Sequence, residues 1–202
     1  MNRRELNDLI RSIGVSVSVA NAFSKVDRAE FVPSEMKSAA YRDAPVPLPE
    51  MQTTSQPSLI AFILNVLALS KGDGVLEVGT GFGFQTALLS ELVGAKGLVV
   101  SIEFFKTLHD QALKRLKGRK NVLLLHGDGK DGLAAKAPFD AIVVSAACDV
   151  LPAKLFSQLD VGGRLVYPRN SESGQNLVLV EKNEYGEPAI TMLLPVAFVP
   201  LQ

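Results

Sequence analysis

The chain has one cysteine, two histidines and no tryptophan among its 202 residues. A single thiol, Cys148, excludes an internal disulfide framework and suits a reducing compartment. It follows an apolar strand, the setting of a small buried side chain rather than a nucleophile. His109 and His126 fall in different elements, with no metal-ligand spacing to each other or to the cysteine, so no metal site is expected. Net charge is also missing: twenty-one basic residues balance twenty-one acidic ones, with a pI near 6.7. That balance argues against the basic footprint of a nucleic-acid binder. The densest basic run (Lys114, Arg115, Lys117, Arg119, Lys120) ends a predicted helix, where cations complement the helix dipole at a solvated end. No apolar run is long enough to span a bilayer, and Met1 to Glu5 leads into an amphipathic helix rather than a signal core. We expect a cytoplasmic, monomeric protein without nucleic-acid or membrane partners.

What is present is a strong α/β pattern. The 47% hydrophobic content supports one domain with a sizeable core over residues 1–202. Residues 1–57 carry two short helices, Arg4–Ser12 and Val17–Val26, and then an irregular proline-rich covering segment from Phe31 to Pro57. A segment of that length without regular structure is usually functional or disordered, and its Phe31, Tyr41, Val46 and Leu48 argue for a packed loop. Pro57 suits the first turn of a helix running to about Leu69. From 58 to 202 the pattern predicts an α/β core with strands near 74–78, 97–103, 121–125, 139–145 and 163–167. Helices lie between the first pairs and around Pro152–Leu159. The tail reads as a hairpin, Leu177–Val180 and Ile190–Val199, around a turn at Asn183–Gly186. We therefore expect a doubly wound, mostly parallel sheet with antiparallel C-terminal strands, and a ligand at the strands' carboxyl ends.

The segment Val75-Leu76-Glu77-Val78-Gly79-Thr80-Gly81-Phe82-Gly83-Phe84 joins a buried strand to a helix through a glycine turn. Gly79, Gly81 and Gly83, with Thr80 among them, let backbone approach a ligand closely, and the helix beyond offers free N–H donors. A dinucleotide site spaces its glycines G-x-G-x-x-G; here the third comes one residue early. Glu77 ends the strand as an acid poorly suited to a pyrophosphate and suited to a cationic or hydroxylated ligand. These features point to S-adenosyl-L-methionine. Glu103, ending the second strand before Phe104, is placed for the two hydroxyls of a ribose. Asp128, between Gly127 and Gly129 after the third strand, can accept from an exocyclic amine such as that of adenine, although an Asp-Gly turn alone has the same appearance. Ser145-Ala146-Ala147 closes the fourth strand at the same edge.

Several further segments occur in an order that resembles the protein-L-isoaspartate (D-aspartate) O-methyltransferases, within the Rossmann-like class I methyltransferases. They are Arg28 with Phe31-Val32-Pro33, Ala40-Tyr41-Arg42-Asp43, Gln52-Thr53-Thr54-Ser55-Gln56-Pro57, Gly127-Asp128-Gly129, Pro138 to Ile142, Gly162 to Leu165, and Pro195 to Leu201. The glycine loop is common to many methyltransferases; the Gln-Thr-x-Ser-Gln-Pro segment and the Phe-Val-Pro-Leu ending are more specific. The resemblance implies a seven-stranded sheet and methyl transfer to the free carboxylate of isoaspartyl, and also D-aspartyl, residues in damaged proteins or peptides. The ester then closes to a succinimide. It implies Ser55 as the active-site residue, with Thr53, Thr54 and Gln56 against the cofactor, and Val199, Pro200 and Leu201 in a peptide-binding wall. A carboxylate nucleophile, already ionised at neutral pH, needs no general base.

The chain departs from the family where substrate is handled. Glu50-Met51 precede Gln52 where glycine is usual, Thr54 replaces a common isoleucine, Asp149 a common proline, and Arg169-Asn170 a usual Val-Gly. Rival readings are a methyltransferase for another carboxylate, a non-catalytic cofactor-binding domain and, more distantly, a nicotinamide dehydrogenase.

Overall fold

The computed structural model describes residues 1–202. Helix α1, Arg3–Ser12, starts at a capping box in which Asn2 and Glu5 satisfy each other's backbone N–H groups. Helix α2, Val17–Lys25, starts at Ser16, whose side chain accepts from Val19. The segment expected to be irregular is partly ordered. It has 3-10 turns at Arg28–Phe31 and Ser34–Ala39, then a small antiparallel hairpin of β1, Val46–Pro47, and β2, Thr53–Thr54. Prolines hid this hairpin from a reading by periodicity, since each of its strands is only two residues long. Its tip holds Glu50 at φ 60° and Met51 at φ 54°, a left-handed conformation that costs a side-chain-bearing residue about 1–2 kcal/mol.

Helix α3, Pro57–Leu67, opens on proline as expected and stops where Ala68 turns left-handed at φ 51°. Strand β3, Gly74–Val78, leads to α4, Phe84–Val93; β4, Leu98–Glu103, to α5, Lys106–Arg115; and β5, Val122–His126, to short 3-10 turns. Strand β6, Phe139–Val144, is followed by α6, Ala153–Ser157. Strand β7 runs over Leu159–Ser171, much longer than the predicted 163–167, and folds back as β8, Gly174–Lys182, and β9, Pro188–Val196. The extension forms because β7 pairs with β6 in parallel and then continues in register against β8 from Arg164 to Ser171.

All seven long strands form one sheet in the order β5-β4-β3-β6-β7-β8-β9. The first five are parallel and the last two antiparallel. Alternation along the strands divides the core. Val75, Val99, Val143 and Val166 pack with α1 to α4 on one face; Leu76, Val100, Ile142 and Leu165 pack with Leu155 of α6 on the other. No helix is long and apolar enough to cross a membrane.

Candidate functional site

A cavity of about 330 Å³ opens at the carboxyl ends of β3, β4 and β6, a size within the usual range for small-molecule sites, roughly 300–1,000 Å³. It lies where the chain leaves β3 toward β4 and β6 continues on the other side, which is the switch point of such a sheet. The β1–β2 hairpin and the C-terminal residues close over it.

Strand geometry decides what Glu77 does. The two-residue period turns it to the α4 face, directly beside Ser101 of β4. There it is fully buried and accepts from Ser101 Oγ at 2.6 Å, Gln85 Nε2 at 3.0 Å and the Thr86 hydroxyl. Ser101 has one proton, given to Glu77, so the Thr80 hydroxyl at 2.6 Å from Ser101 Oγ is the donor in that contact. Gln85 also donates to Ser145 Oγ at 3.1 Å. Burial pushes the Glu77 carboxyl up to about 7, against these hydrogen bonds. The expectation that Glu77 meets the ligand is therefore corrected. The cavity is lined by the groups that Glu77 fixes, Thr80, Gln85 and Ser145, and not by Glu77 itself.

The glycine turn is also engaged within the protein. Gly79 N–H donates to Ile102, Gly83 N–H to Thr80, and Gly81 N–H to Glu103 Oε2 at 2.8 Å. The N–H groups of these three glycines are thus spent within the protein. The turn presents bare backbone instead, while Phe84 and Gln85, in the first turn of α4, supply the helix's share of the cavity wall. The conformation needs glycine: Gly79 has φ 95°, and a Cβ there would come 3.2 Å from Ser145 Cβ.

Glu103 lines the cavity and is buried, with Oε1 accepting from Phe105 N–H at 2.9 Å. Burial raises its pKa, and backbone donors oppose the rise. Each oxygen has given one lone pair to a backbone N–H and keeps another for a hydroxyl pair. Asp128 also lines the cavity, with Oδ1 accepting from Lys130 N–H at 2.9 Å in a side-chain turn. The local turn and the ligand-facing position thus coexist. Gly129 lines the cavity beside it, and a Cβ there would lie 2.5 Å from Val78 Cγ1. Phe104 lines the rim, about half exposed.

The acceptor side is held by one buried cation. Arg28, 1% exposed, donates to the carbonyl oxygens of Ala40, Arg42 and Ala44 at 3.0 Å each and of Ser55 at 3.1 Å. Burial lowers its pKa to about 10, with Asp43 opposing, so it remains a cation at neutral pH. Asp43 in turn accepts from Ser58 N–H at 2.8 Å, in the first turn of α3. One N–H group of this helix start is therefore already taken within the protein. Ser55, Thr53, Thr54 and Gln56 line one wall. Val199, Pro200 and Leu201 also line the cavity, and there Ala147 N–H donates to Val199 O at 2.8 Å and Leu201 N–H to Ala147 O at 3.0 Å.

Among the predicted site residues, then, Glu77, Gly83 and Gly127 lie outside the cavity wall. Gly83 underlies α4, where a Cβ would crowd Leu116 at 2.9 Å. The lining residues not singled out beforehand include Gln85, Phe105, Leu108, Leu59 and Ile60. Gln85 carried a signal, since with Thr86 it is a polar pair at the start of a helix whose next residues, Ala87-Leu88-Leu89, are apolar. Arg115, expected at a solvated helix end, instead stacks 4.1 Å over the Phe82 ring and donates to Glu30 O at 3.0 Å.

S-adenosylmethionine fits this site. Glu103 retains acceptor capacity for a diol, Asp128 keeps a second oxygen, and the acidic surroundings suit a cationic ligand. Comparison with known proteins agrees. A family model described as protein-L-isoaspartate (D-aspartate) O-methyltransferase matches residues 1–202. A protein-L-isoaspartate O-methyltransferase of Ignicoccus hospitalis is 46% identical over 91% of this chain and 88% of its own length. One from Methanothermobacter thermautotrophicus is 39% identical over 98% and 94%. A solved protein-L-isoaspartate O-methyltransferase superposes with TM-score 0.89 at 33% identity; the match covers 98% of this chain and 65% of that longer one. A Plasmodium falciparum protein, solved with S-adenosyl-L-homocysteine and described as a putative member, gives TM-score 0.89 at 25% identity over 100% and 99%. The chain belongs to the protein-L-isoaspartate (D-aspartate) O-methyltransferase family.

Proposed function

We propose the following division of labour for methyl transfer from S-adenosylmethionine to the free carboxylate of isoaspartyl and D-aspartyl residues in damaged proteins. The observation that carries it is the pairing, across one cavity, of the Glu103 and Asp128 wall with the Ser55 wall and the C-terminal strap. When bound, S-adenosylmethionine supplies a methyl group on a positively charged sulfur, open to displacement by an ionised carboxylate. Glu103 holds the ribose, Asp128 the adenine, and the Gly79–Gly83 turn with Thr80, Gln85 and Ser145 the amino-acid end. Ser55 donates its hydroxyl to one oxygen of the acceptor carboxylate and leaves the other free to react. Thr53, Thr54 and Gln56 shape the same wall, and Val199 to Leu201 support the peptide.

No residue is asked to remove a proton, because a carboxylate of pKa roughly 4 is already charged. The protein's contribution is alignment, which can supply on the order of 7–11 kcal/mol. The lone cysteine takes no part: burial pushes its thiol up to about 11. A reducing, cytoplasmic setting, supported by that unpaired thiol, and a monomeric state complete the proposal.

The test is transfer of labelled methyl to an isoaspartyl peptide beside its normal-aspartyl twin. Base-labile label on the isoaspartyl peptide alone is expected; equal label on both, or label on neither with cofactor bound, overturns the substrate assignment. Ser55→Ala should lower turnover on the order of a hundredfold with little change in S-adenosylhomocysteine affinity.

A further inference from the structure

Strand β9 ends its pairing at Val196, opposite Gln175 near the start of β8. The segment Val199 to Leu201 therefore begins where the main-chain ladder has run out. Only Gly174 precedes Gln175 in β8, and it pairs with Ser171 at the turn from β7. The side chain of Gln175 stands in for the missing strand. Its Oε1 accepts from Phe198 N–H at 2.7 Å, and its Nε2 donates to Phe198 O at 3.1 Å. A primary amide sets a donor beside an acceptor, so it can take both main-chain groups of one residue. Its orientation is forced, because the Phe198 N–H can only donate and the carbonyl can only accept.

The opposite edge is held as well. Ala147, two residues past Ser145 of the cavity wall, pairs with Val199 O and Leu201 N–H. In extended chain, a residue that gives both groups to one partner has neighbours facing the other edge. The strap is thus an extended segment gripped from both sides, by a side chain at Phe198 and by backbone at Val199 and Leu201. The Phe198 ring packs on the core and fixes the side chain; the Gln175 amide fixes the main chain. Gln175 is half-buried and does not line the cavity, so it reaches the site only through the strap. We infer that Gln175 is a positioning residue for the peptide substrate: its carboxamide holds the Phe198 main chain and so sets where Val199, Pro200 and Leu201 stand against the acceptor peptide. The inference rests on the reading of these three residues as the peptide wall.

Gln175→Met keeps the length of the side chain and can make neither bond. For an isoaspartyl peptide, KM and the directly measured Kd (fluorescent peptide, S-adenosylhomocysteine present) should rise about tenfold. Turnover at saturation and S-adenosylhomocysteine affinity should change less than about twofold. Gln175→Ala should act in the same way, so the outcome does not hang on one variant's folding. In a chain lacking residues 199–202, Gln175→Met should add nothing to peptide KM, because the coupling runs through the strap. An unchanged peptide Kd in the full chain overturns the role. So do equal losses of peptide and cofactor affinity, or a loss that persists in the shortened chain. Binding separates this result from the activity. A natural chain that transfers no methyl, yet binds the isoaspartyl peptide about tenfold more tightly than Gln175→Met does, sinks the reaction assignment and keeps the role of Gln175.

Discussion

At the scale of single residues, two carboxylates near one strand edge have different tasks because burial differs around them. Glu103 has one face on the cavity and holds two backbone N–H groups with the other. Glu103→Ala removes the proposed partner of the ribose, and calorimetry should find S-adenosylhomocysteine binding weakened by about 10–100-fold. Unchanged affinity removes the ribose assignment. Glu77 is enclosed and titrates near 7 rather than at its ordinary 4.5. Between those values the folded state binds the proton and the unfolded state releases it, so the contribution to stability is fully present below about 4.5 and lost as pH rises toward 7. Glu77→Gln cannot titrate. Denaturant unfolding from pH 5 to 8 should show its decline with pH smaller than that of the natural chain by roughly 2–3 kcal/mol. A parallel decline in both proteins would contradict the burial effect. The identity of both acids was legible in the sequence, since each ends an apolar run before a turn. Their separate roles were not, because the two-residue period fixes a side chain's face only once the helix covering that face is known.

At the scale of elements, the proline-rich segment shows how a cation can replace regular structure. Between Ala40 and Ser55 few backbone groups have ladder partners, and Arg28 gathers four of the carbonyls on one guanidinium. Lysine offers three donors on a point charge and cannot reproduce that fork. Arg28→Lys should therefore cost about 2–4 kcal/mol, a fall of roughly 5–15 °C in melting temperature. Because Ser55 O is one of the four, peptide KM should rise more than S-adenosylhomocysteine affinity falls; equal losses would make Arg28 a general stabiliser only. Periodicity located α1 to α5 and β3 to β6 within a few residues, for these elements bury one face each. It missed the β1–β2 hairpin and underestimated β7. A two-residue strand has no period to detect, and the outer half of β7 is set by pairing with β8, a contact between separate elements.

At the scale of the whole molecule, the cavity draws on residues near 52–56, 78–85, 102–105, 128–129 and 194–202, so segments far apart in the chain, its last residues among them, meet at the middle of the sheet. The last residues pair with Ala147 rather than with a long strand. Deleting residues 199–202 should leave the sheet folded while raising peptide KM roughly tenfold or more; a collapse of the melting transition would instead make the strap a structural element. The sequence by itself determined the alternation of strand and helix, the glycine turn, the acids at the strand ends and the Gln-Thr-Thr-Ser-Gln-Pro wall. Each of these is local, set by side-chain period or backbone freedom within a few residues. Only the tertiary structure decided that Glu77 serves from beneath the site, that Gln85 and Ser145 face it in its place, and that Arg28 carries the Ser55 segment. Those outcomes depend on which buried polar groups find partners across long sequence separations, and no local pattern encodes that.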